Sequence, residues 1–237
     1  MKKIFTFIGS RNDDGHTVTF AKKLIKAINK QDETWECELA TLNSYNVLPA
    51  NLPSYVDDDL EELKNKIINA DLIVLGAPVY MHGIPGEMKN IIDRLADWAH
   101  TLRLVGKDIV ILSTCNSNGH MTVANQLHLY AIQLGGRVVG KYVATNFMPT
   151  ETVDTENIIL NDQIDEFIEK IAFEVLEKQS LPWKTNRLLE TTFITYQQIQ
   201  KNNVLQNIQN EENKYWVDSG MLDCGSLQEY YNFSNTR

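Results

Sequence analysis

Short apolar runs alternate with helix-period stretches along the first three quarters of the chain. KIFTFIG (3–9) reads as a first strand, and HTVTFAKKLIKAINK (16–30) sets Ala21, Leu24, Ile25 and Ile28 at helical spacing. WECELATL (35–42) alternates and reads as a second strand. A long loop leads to DDDLEELKNKIINA (57–70), with Asp57, Asp58 and Asp59 as a solvated helix start, where the positive end of the peptide dipoles favours carboxylates. DLIVLGA (71–77) is nearly continuous in apolar residues, the mark of a strand buried on both faces. Residues 86–102 read as one helix with Met88, Ile91, Ile92, Leu95, Ala96 and Ala99 on one side. DIVILSTC (108–115) is a further buried strand, and TVANQLHLYAIQLGG a helix that stops at Gly135 and Gly136. RVVGKYVAT (137–145) makes a fifth strand and 157–178 a fifth helix.

Five strands alternating with five helices predict a parallel sheet covered on both faces, an α/β fold. The pattern alone leaves both common doubly wound strand orders open. It predicts a domain over 1–179 and an extension over 180–237. The extension is rich in Asn and Gln, begins near Pro182 and Trp183, and has one helical stretch at about 184–202. Tyr215, Trp216, Tyr230, Tyr231 and Phe233 are too many aromatics for a disordered tail, so docking on the core or on a partner subunit is expected.

Composition narrows the class. With 43% hydrophobic residues in 237, the chain can bury a sizeable core without disulfides. Cys37, Cys115 and Cys224 form no close pair and no metal-like spacing, which fits a reducing cytoplasmic compartment and predicts no metal. The N-terminal apolar run is shorter than a secretory signal core, and no stretch approaches the ~20 apolar residues of a membrane span. A net charge of −9 argues against non-specific binding to nucleic acid or a membrane surface.

Chemistry is expected where the strands end, since ligands of open α/β sheets bind outside the carboxyl ends near the reversal of strand order. Three loops stand out there. GSRNDDGHTV (9–18) offers amides and hydroxyls at a helix start, a ready anion site. Gly9 and Gly15 have five residues between them and His16 stands where a nucleoside-triphosphate loop needs lysine, so a single phosphate monoester suits it better. The plain alternative is a strand–helix turn with Thr17 as N-cap. Asp13 and Asp14 count against a phosphate unless they point to solvent. The second loop, PVYMHGIPG (78–86), carries Pro78, Gly83, Pro85 and Gly86, a rigid turn whose amides could face a planar ligand and whose Tyr80 could pack on a ring. The bland reading there is a buried Tyr80 and a solvated His82. TCNSNGHM (114–121) puts small polar residues at the end of the fourth strand, which suits a polar ring edge or a plain turn.

Together, G-S-x-R-x-x-x-G-x-T after the first strand and PVY, G-x-P-G-x-M-K-N and DRL after the third resemble the flavodoxin-like NAD(P)H-dependent FMN reductase family, including flavoproteins similar to multimeric flavodoxins. The resemblance covers roughly residues 3–178, and YW…SG.LD…YY in the tail is similar to the ending of some members. It implies a flavodoxin-like five-stranded sheet of order 2-1-3-4-5. It implies that Ser10, Arg11, His16, Thr17 and Val18 surround the FMN phosphate. Pro78, Val79, Tyr80, Met81, His82 and Gly83 would wrap the isoalloxazine, with Thr114, Cys115, Asn116 and Gly119 at its other edge. His16 replaces a frequent Asn of the family, and the compact cysteine motif of its iron–sulfur relatives is missing.

The implied function is an oxidoreductase taking hydride from NAD(P)H through FMN to a small acceptor: a quinone, a flavin, or a nitro or azo compound. The hydride step needs no general base, so no catalytic side chain is assigned; His82 or His120 could deliver a proton to a reduced acceptor. Lys89, Asp93 and Arg94 belong to the family pattern and are expected to form a local ion pair, and His128 to lie on a helix face. The resemblance also implies a homodimer or homotetramer. The alternative is a flavodoxin-type electron carrier that binds FMN without reacting with NAD(P)H.

Overall fold

The computed structural model describes residues 1–49, 57–146 and 158–236. Its centre is a six-stranded, all-parallel sheet in the order β2-β1-β3-β4-β5-β6. The strands are β1 Lys2–Ile8, β2 Trp35–Thr41, β3 Leu72–Pro78, β4 Asp108–Cys115, β5 Arg137–Thr145 and β6 Ile158–Leu160. The first five stand in the flavodoxin-like order implied by the resemblance. The sixth corrects the expectation of five strands and of a helix over 157–178; residue 157 lies outside the described residues. Three apolar residues are too few to show a period, so Ile158–Leu160 merge in the sequence with the helix that follows at α6, Ile164–Ser180.

Helices cover both faces. α1, His16–Gln31, and α6 lie on one side with Phe20, Leu24, Ile28, Ile168 and Val175 packed on the sheet. On the other side are α2 Leu60–Ile68, α3 Gly86–Arg94, α4 Ala96–Thr101 and α5 His120–Gln133. The single helix expected over 86–102 is broken at Leu95, whose backbone (φ −96°, ψ 11°) caps α3 and starts α4. The break keeps both Leu95 and Trp98 in the core, and an unbroken apolar period hides it in the sequence. Leu102 then closes α4 in the left-handed region, and Gly135 lies so close that a Cβ there would stand 2.8 Å from the Leu102 carbonyl oxygen.

The Asp57–Asp59 run is not uniformly solvated. The Asp58 side chain is buried, accepting from Leu48 N and Leu60 N and pairing with Arg94 Nη1 at 2.6 Å. Arg94 therefore ties α3 to the loop before α2, while Lys89 and Asp93 form the local pair.

The extension has three helices rather than one: α7 Arg187–Leu205, α8 Glu211–Ser219 and α9 Leu227–Ser234. Asn186, Asn210 and Ser226 each cap one by accepting the N3 amide. Trp183, Phe193, Trp216, Met221 and Tyr230 form a third core that closes over Leu102 and Ile132 of the domain. Trp216 Nε1 donates to His100 O at 2.8 Å, and Arg137 holds Asp108 through Nε and Nη2 while its Nη1 donates to Pro182 O at 2.9 Å. Trp216→Ala empties the centre of this seam. It should cost about 3–5 kcal/mol of stability, read as a lower urea midpoint; a loss below about 1 kcal/mol would show that the seam does not hold the extension.

Candidate active site

The ends of β1, β3 and β4 are knitted into one rim. Gly9 N donates to Gly76 O at 2.8 Å and Val79 N to Thr114 O at 3.2 Å, continuing the sheet past its regular pairing. Above them the buried hydroxyls of Thr17 and Thr114 share a hydrogen bond of 2.6 Å.

In the first loop, α1 begins at His16 with Gly15 as N-cap, in extended backbone and without a capping side chain among the described residues. This corrects the alternative of Thr17 as N-cap: Thr17 stands inside the first turn with its hydroxyl on Thr114. The amides of His16, Thr17 and Val18 precede the first helical bond, Thr19 N to Gly15 O, and so have no helical acceptor. The buried Ser10 turns its Oγ onto Asn12, accepting from Asn12 N at 3.1 Å. His16 is exposed and Val18 is buried beneath it.

The charges of this loop are already committed. Asp13 does not face solvent freely: Thr41 Oγ1 and Asn43 Nδ2 donate to it at 2.8 and 3.0 Å. Those bonds, Thr41's first, hold its carboxyl below the usual range. Asp14 is exposed, 4.0 Å from Lys22. Arg11 places its fork on Glu87, Nη2 at 2.6 Å and Nε at 2.8 Å, and Nη1 reaches Asn43 Oδ1 at 3.2 Å. Hydrogen bonding from Arg11 keeps the Glu87 carboxyl low. Both partners are more than half exposed, so the pair is worth little to stability and is open to exchange. Glu87, Asn43 and Thr41 are absent from the sequence reading, because 76 residues separate Arg11 from Glu87 and no local pattern joins them.

The second loop is a tight hairpin. Tyr80 and Gly83 exchange both backbone hydrogen bonds, 2.9 and 3.0 Å, around Met81 (φ 48°) and His82 (φ 59°). Two successive left-handed residues make a type I′-like turn, which Asn and Gly usually fill. Holding Met81 and His82 there costs on the order of 1–3 kcal/mol each. The tip stands out: Tyr80 is 58% and Met81 97% exposed, which overturns the buried-Tyr80 alternative, and His82 is exposed as expected. Pro78 closes β3, and Val79 packs against the third loop.

Gly119 is the reason that contact is possible. With φ +86° it caps α5, and a Cβ there would lie 2.7 Å from Val79 Cγ1 and 3.1 Å from His82 Nδ1. Asn116 is exposed and accepts from Asn146 at the end of β5. Cys115 points its sulfur away from the first loop's partner Thr114, onto His120 Nδ1 at 3.2 Å and Thr145 Oγ1 at 3.5 Å. Asn161 Nδ2 holds the Cys115 carbonyl at 3.2 Å. His120 is buried, and its Nε2 has no partner among the described residues. Burial lowers its pKa, leaving the ring neutral. His128, on the face of α5, is likewise lowered by burial and then by Lys141.

All fifteen residues singled out from the sequence thus lie at three adjoining strand ends and in the loops and helix start that follow them. Among them Arg11 spends its guanidinium on another protein group, Glu87. A cavity of about 330 Å³ abuts that pair, between residues 42–49 and the start of α3. The rim offers free amides, two hydroxyls and an exposed aromatic ring, a donor set for a phosphate monoester joined to a planar ring. No group of three or more His, Cys, Asp or Glu among the described residues is arranged for a metal ion. No helix of the described residues is long and apolar enough to cross a membrane.

Comparison with known proteins gives a consistent picture. The sequence profile of the NADPH-dependent FMN reductase family matches residues 2–150, which include all three loops. An iron–sulfur flavoprotein of Methanocaldococcus jannaschii is 26% identical over 146 residues, 58% of this chain and 76% of that protein. The structure of RosB with a bound 8-demethyl-8-formylriboflavin-5′-phosphate intermediate superposes with a TM-score of 0.58 at 18% identity, covering 78% of this chain and 83% of that one. The apo form of the NADH:FMN oxidoreductase EMOB gives 0.53 at 16% identity, over 78% and 92%. At such identities the two structures speak for the fold.

The neutral, buried His120 makes a prediction for pH. Its folded pKa lies below the ordinary 6.5, so the unfolded chain binds more protons as pH falls through that value. Stability is therefore fully present above pH 6.5 and is lost on acidification below it. Urea unfolding followed across this range should show that slope, and His120→Gln should flatten it, with His128 carrying the remainder. A slope unchanged in the variant would contradict a buried neutral His120.

Proposed function

The chain belongs to the NADPH-dependent FMN reductase family and is an FMN-dependent oxidoreductase, and from that premise we propose that it takes hydride from NAD(P)H and reduces a small acceptor, a quinone, flavin, nitro or azo compound. The observation that carries the reading is the uncapped start of α1 set against the Thr17–Thr114 hydroxyl pair, at the rim where the strand order reverses. Amides at a helix N-terminus bind a phosphate without any lysine. The donor set fits a flavin mononucleotide better than a polyphosphate, and Asp13 is held off by Thr41 and Asn43.

In this reading Ser10, His16, Thr17 and Val18 bind the phosphate through amides and hydroxyls. Arg11 joins them by exchanging Glu87 for the phosphate. Residues 78–83 hold the ring system, with the amides of Met81 and His82, the turn residues not bonded in the hairpin, at its polar edge and the exposed Tyr80 against its face. The stiff left-handed turn fixes those groups before binding, so little ordering is left to do. Thr114, Cys115, Asn116 and Gly119 meet the opposite edge through their backbone. FMN held there would supply the two-electron chemistry that links nicotinamide to acceptor. The protein orients the two reactants in turn and limits water. His82, exposed on the turn, is available to deliver a proton to a reduced acceptor. The exposed Tyr80 and Met81 call for a cover, which a second copy of the chain or the substrate would provide; a homodimer or homotetramer follows from the first.

A second reading, an electron carrier that holds FMN but does not react with nicotinamide, draws on the net charge of −9, which suits docking to a basic redox partner.

Equilibrium binding of FMN, followed by quenching of its fluorescence, tests the site. Thr17→Val should weaken binding by roughly 1–3 kcal/mol. Glu87→Gln, which frees Arg11, should tighten it severalfold, and the gain should vanish when Arg11→Ala is added. If neither single variant changes FMN affinity, the phosphate sits elsewhere. Turnover of NADPH and NADH with a quinone should depend on added FMN; retention of FMN with no turnover favours the carrier.

A further inference from the structure

Cys115 is set apart from the other two cysteines by its surroundings. Cys37 lies in the middle of β2 and Cys224 in the core of the extension, and burial pushes both thiols up, which keeps them protonated. Cys115 is partly exposed at the mouth of the sheet. Its sulfur meets His120 Nδ1 at 3.2 Å and Thr145 Oγ1 at 3.5 Å, beside the first turn of α5. His120 is only 4% exposed, and its other nitrogen has no partner among the described residues. A buried imidazole that spends one nitrogen on a thiol and leaves the other unsatisfied carries a desolvation cost. Core packing alone would favour an apolar residue at the start of α5. Around the thiol, Asn116, Asn146 and Asn161 form a neutral polar ring at the ends of β4, β5 and β6, linked at 3.3 and 2.8 Å. The buried Asn161 Oδ1 likewise has no partner among the described residues, while its amide holds the Cys115 carbonyl.

From this geometry we infer that Cys115 is a peroxide-reactive thiol with His120 as its base, a modification site at the edge of the strand-end rim. In the tautomer that carries its proton on Nε2, the neutral ring of His120 is a free base at neutral pH and takes the thiol proton at Nδ1. The Cys115 sulfur attacks one oxygen of a hydroperoxide as its proton passes to His120. The S–O bond forms while the O–O bond breaks, and the departing oxygen takes the proton from His120 and leaves as water or an alcohol. Sulfur loses two electrons to become a sulfenic acid, and the peroxide gains the same two.

Cys37 does not complete the cycle with an internal disulfide, and Cys224 is held in the core of the extension. β2 and β4 are three strand spacings apart, roughly 14 Å, which is beyond the reach of a disulfide. A small thiol such as glutathione instead condenses with the sulfenic acid, releasing water and leaving a mixed disulfide; a second small thiol restores Cys115. Such an adduct would crowd residues 115–119. If those residues meet FMN, as the functional reading above holds, the adduct weakens FMN binding.

The test uses the full chain, with and without saturating FMN, treated with limiting hydrogen peroxide in the presence of dimedone, and the label mapped by mass spectrometry. Cys115 should carry the label about tenfold faster than Cys37 or Cys224. His120→Gln and Thr145→Val should each slow labelling of Cys115 and leave Cys37 unchanged as an internal control, with circular dichroism confirming the fold. Equal labelling of Cys115 and Cys37, or a wild-type rate in His120→Gln, overturns the proposal whatever happens to FMN. In a second arm the chain is converted to its glutathione adduct and FMN affinity is measured. Weaker binding, restored by dithiothreitol, supports the coupling. An unchanged affinity in an adduct shown to be on Cys115 overturns the coupling, while the thiol's reactivity is judged by the labelling alone.

Discussion

Two backbone hydrogen bonds, Gly9 N to Gly76 O and Val79 N to Thr114 O, carry the parallel sheet past the ends of its central strands. They force three loops, separated by up to about a hundred residues of chain, into a single rim. The strand order explains why the rim is a crevice. The chain runs from β1 outward to β2 and returns to β3 on the other side, so the helices leaving β1 and β3 lie on opposite faces. Gly119 completes the arrangement, because any side chain there would push the third loop off Val79 and His82. The site is therefore a property of the sheet's register before it is a property of any one side chain.

Much of this was legible in the chain itself. The strands were readable because apolar runs of five to eight residues with Gly or Pro at their ends have few other structures to adopt, and the punctuation of 78–86 pointed to the rim. Other features lay beyond local pattern. Leu95 interrupts a helix whose apolar period never falters, since the break serves packing of Trp98. Ile158–Leu160 pair with β5 on three residues alone. Arg11 shows the clearest limit: its type and place suggest an anion, but the group it holds is Glu87, a partner no spacing could reveal.

That ion pair also shapes the cofactor reading. A guanidinium engaged by an exposed carboxylate is neither lost to phosphate nor freely given to it, because surface pairs of this kind differ little in energy from their solvated parts. Affinity for FMN would then depend on Glu87 as much as on the donors in the loop. The extension adds a second level. Its aromatic core closes over α4 and α5 through Trp216 and Arg137, so it braces the side of the sheet opposite α1.

The function proposed for the rim requires that it hold a flavin that a nicotinamide can reduce. The most direct measurement is an anaerobic titration of the FMN-loaded protein with NADPH and then NADH, following the flavin's visible absorbance. Prompt, stoichiometric bleaching by either nucleotide is the predicted result, and the nucleotide that bleaches faster is the donor. FMN that stays bound and fully coloured through an excess of both would contradict hydride transfer at this site.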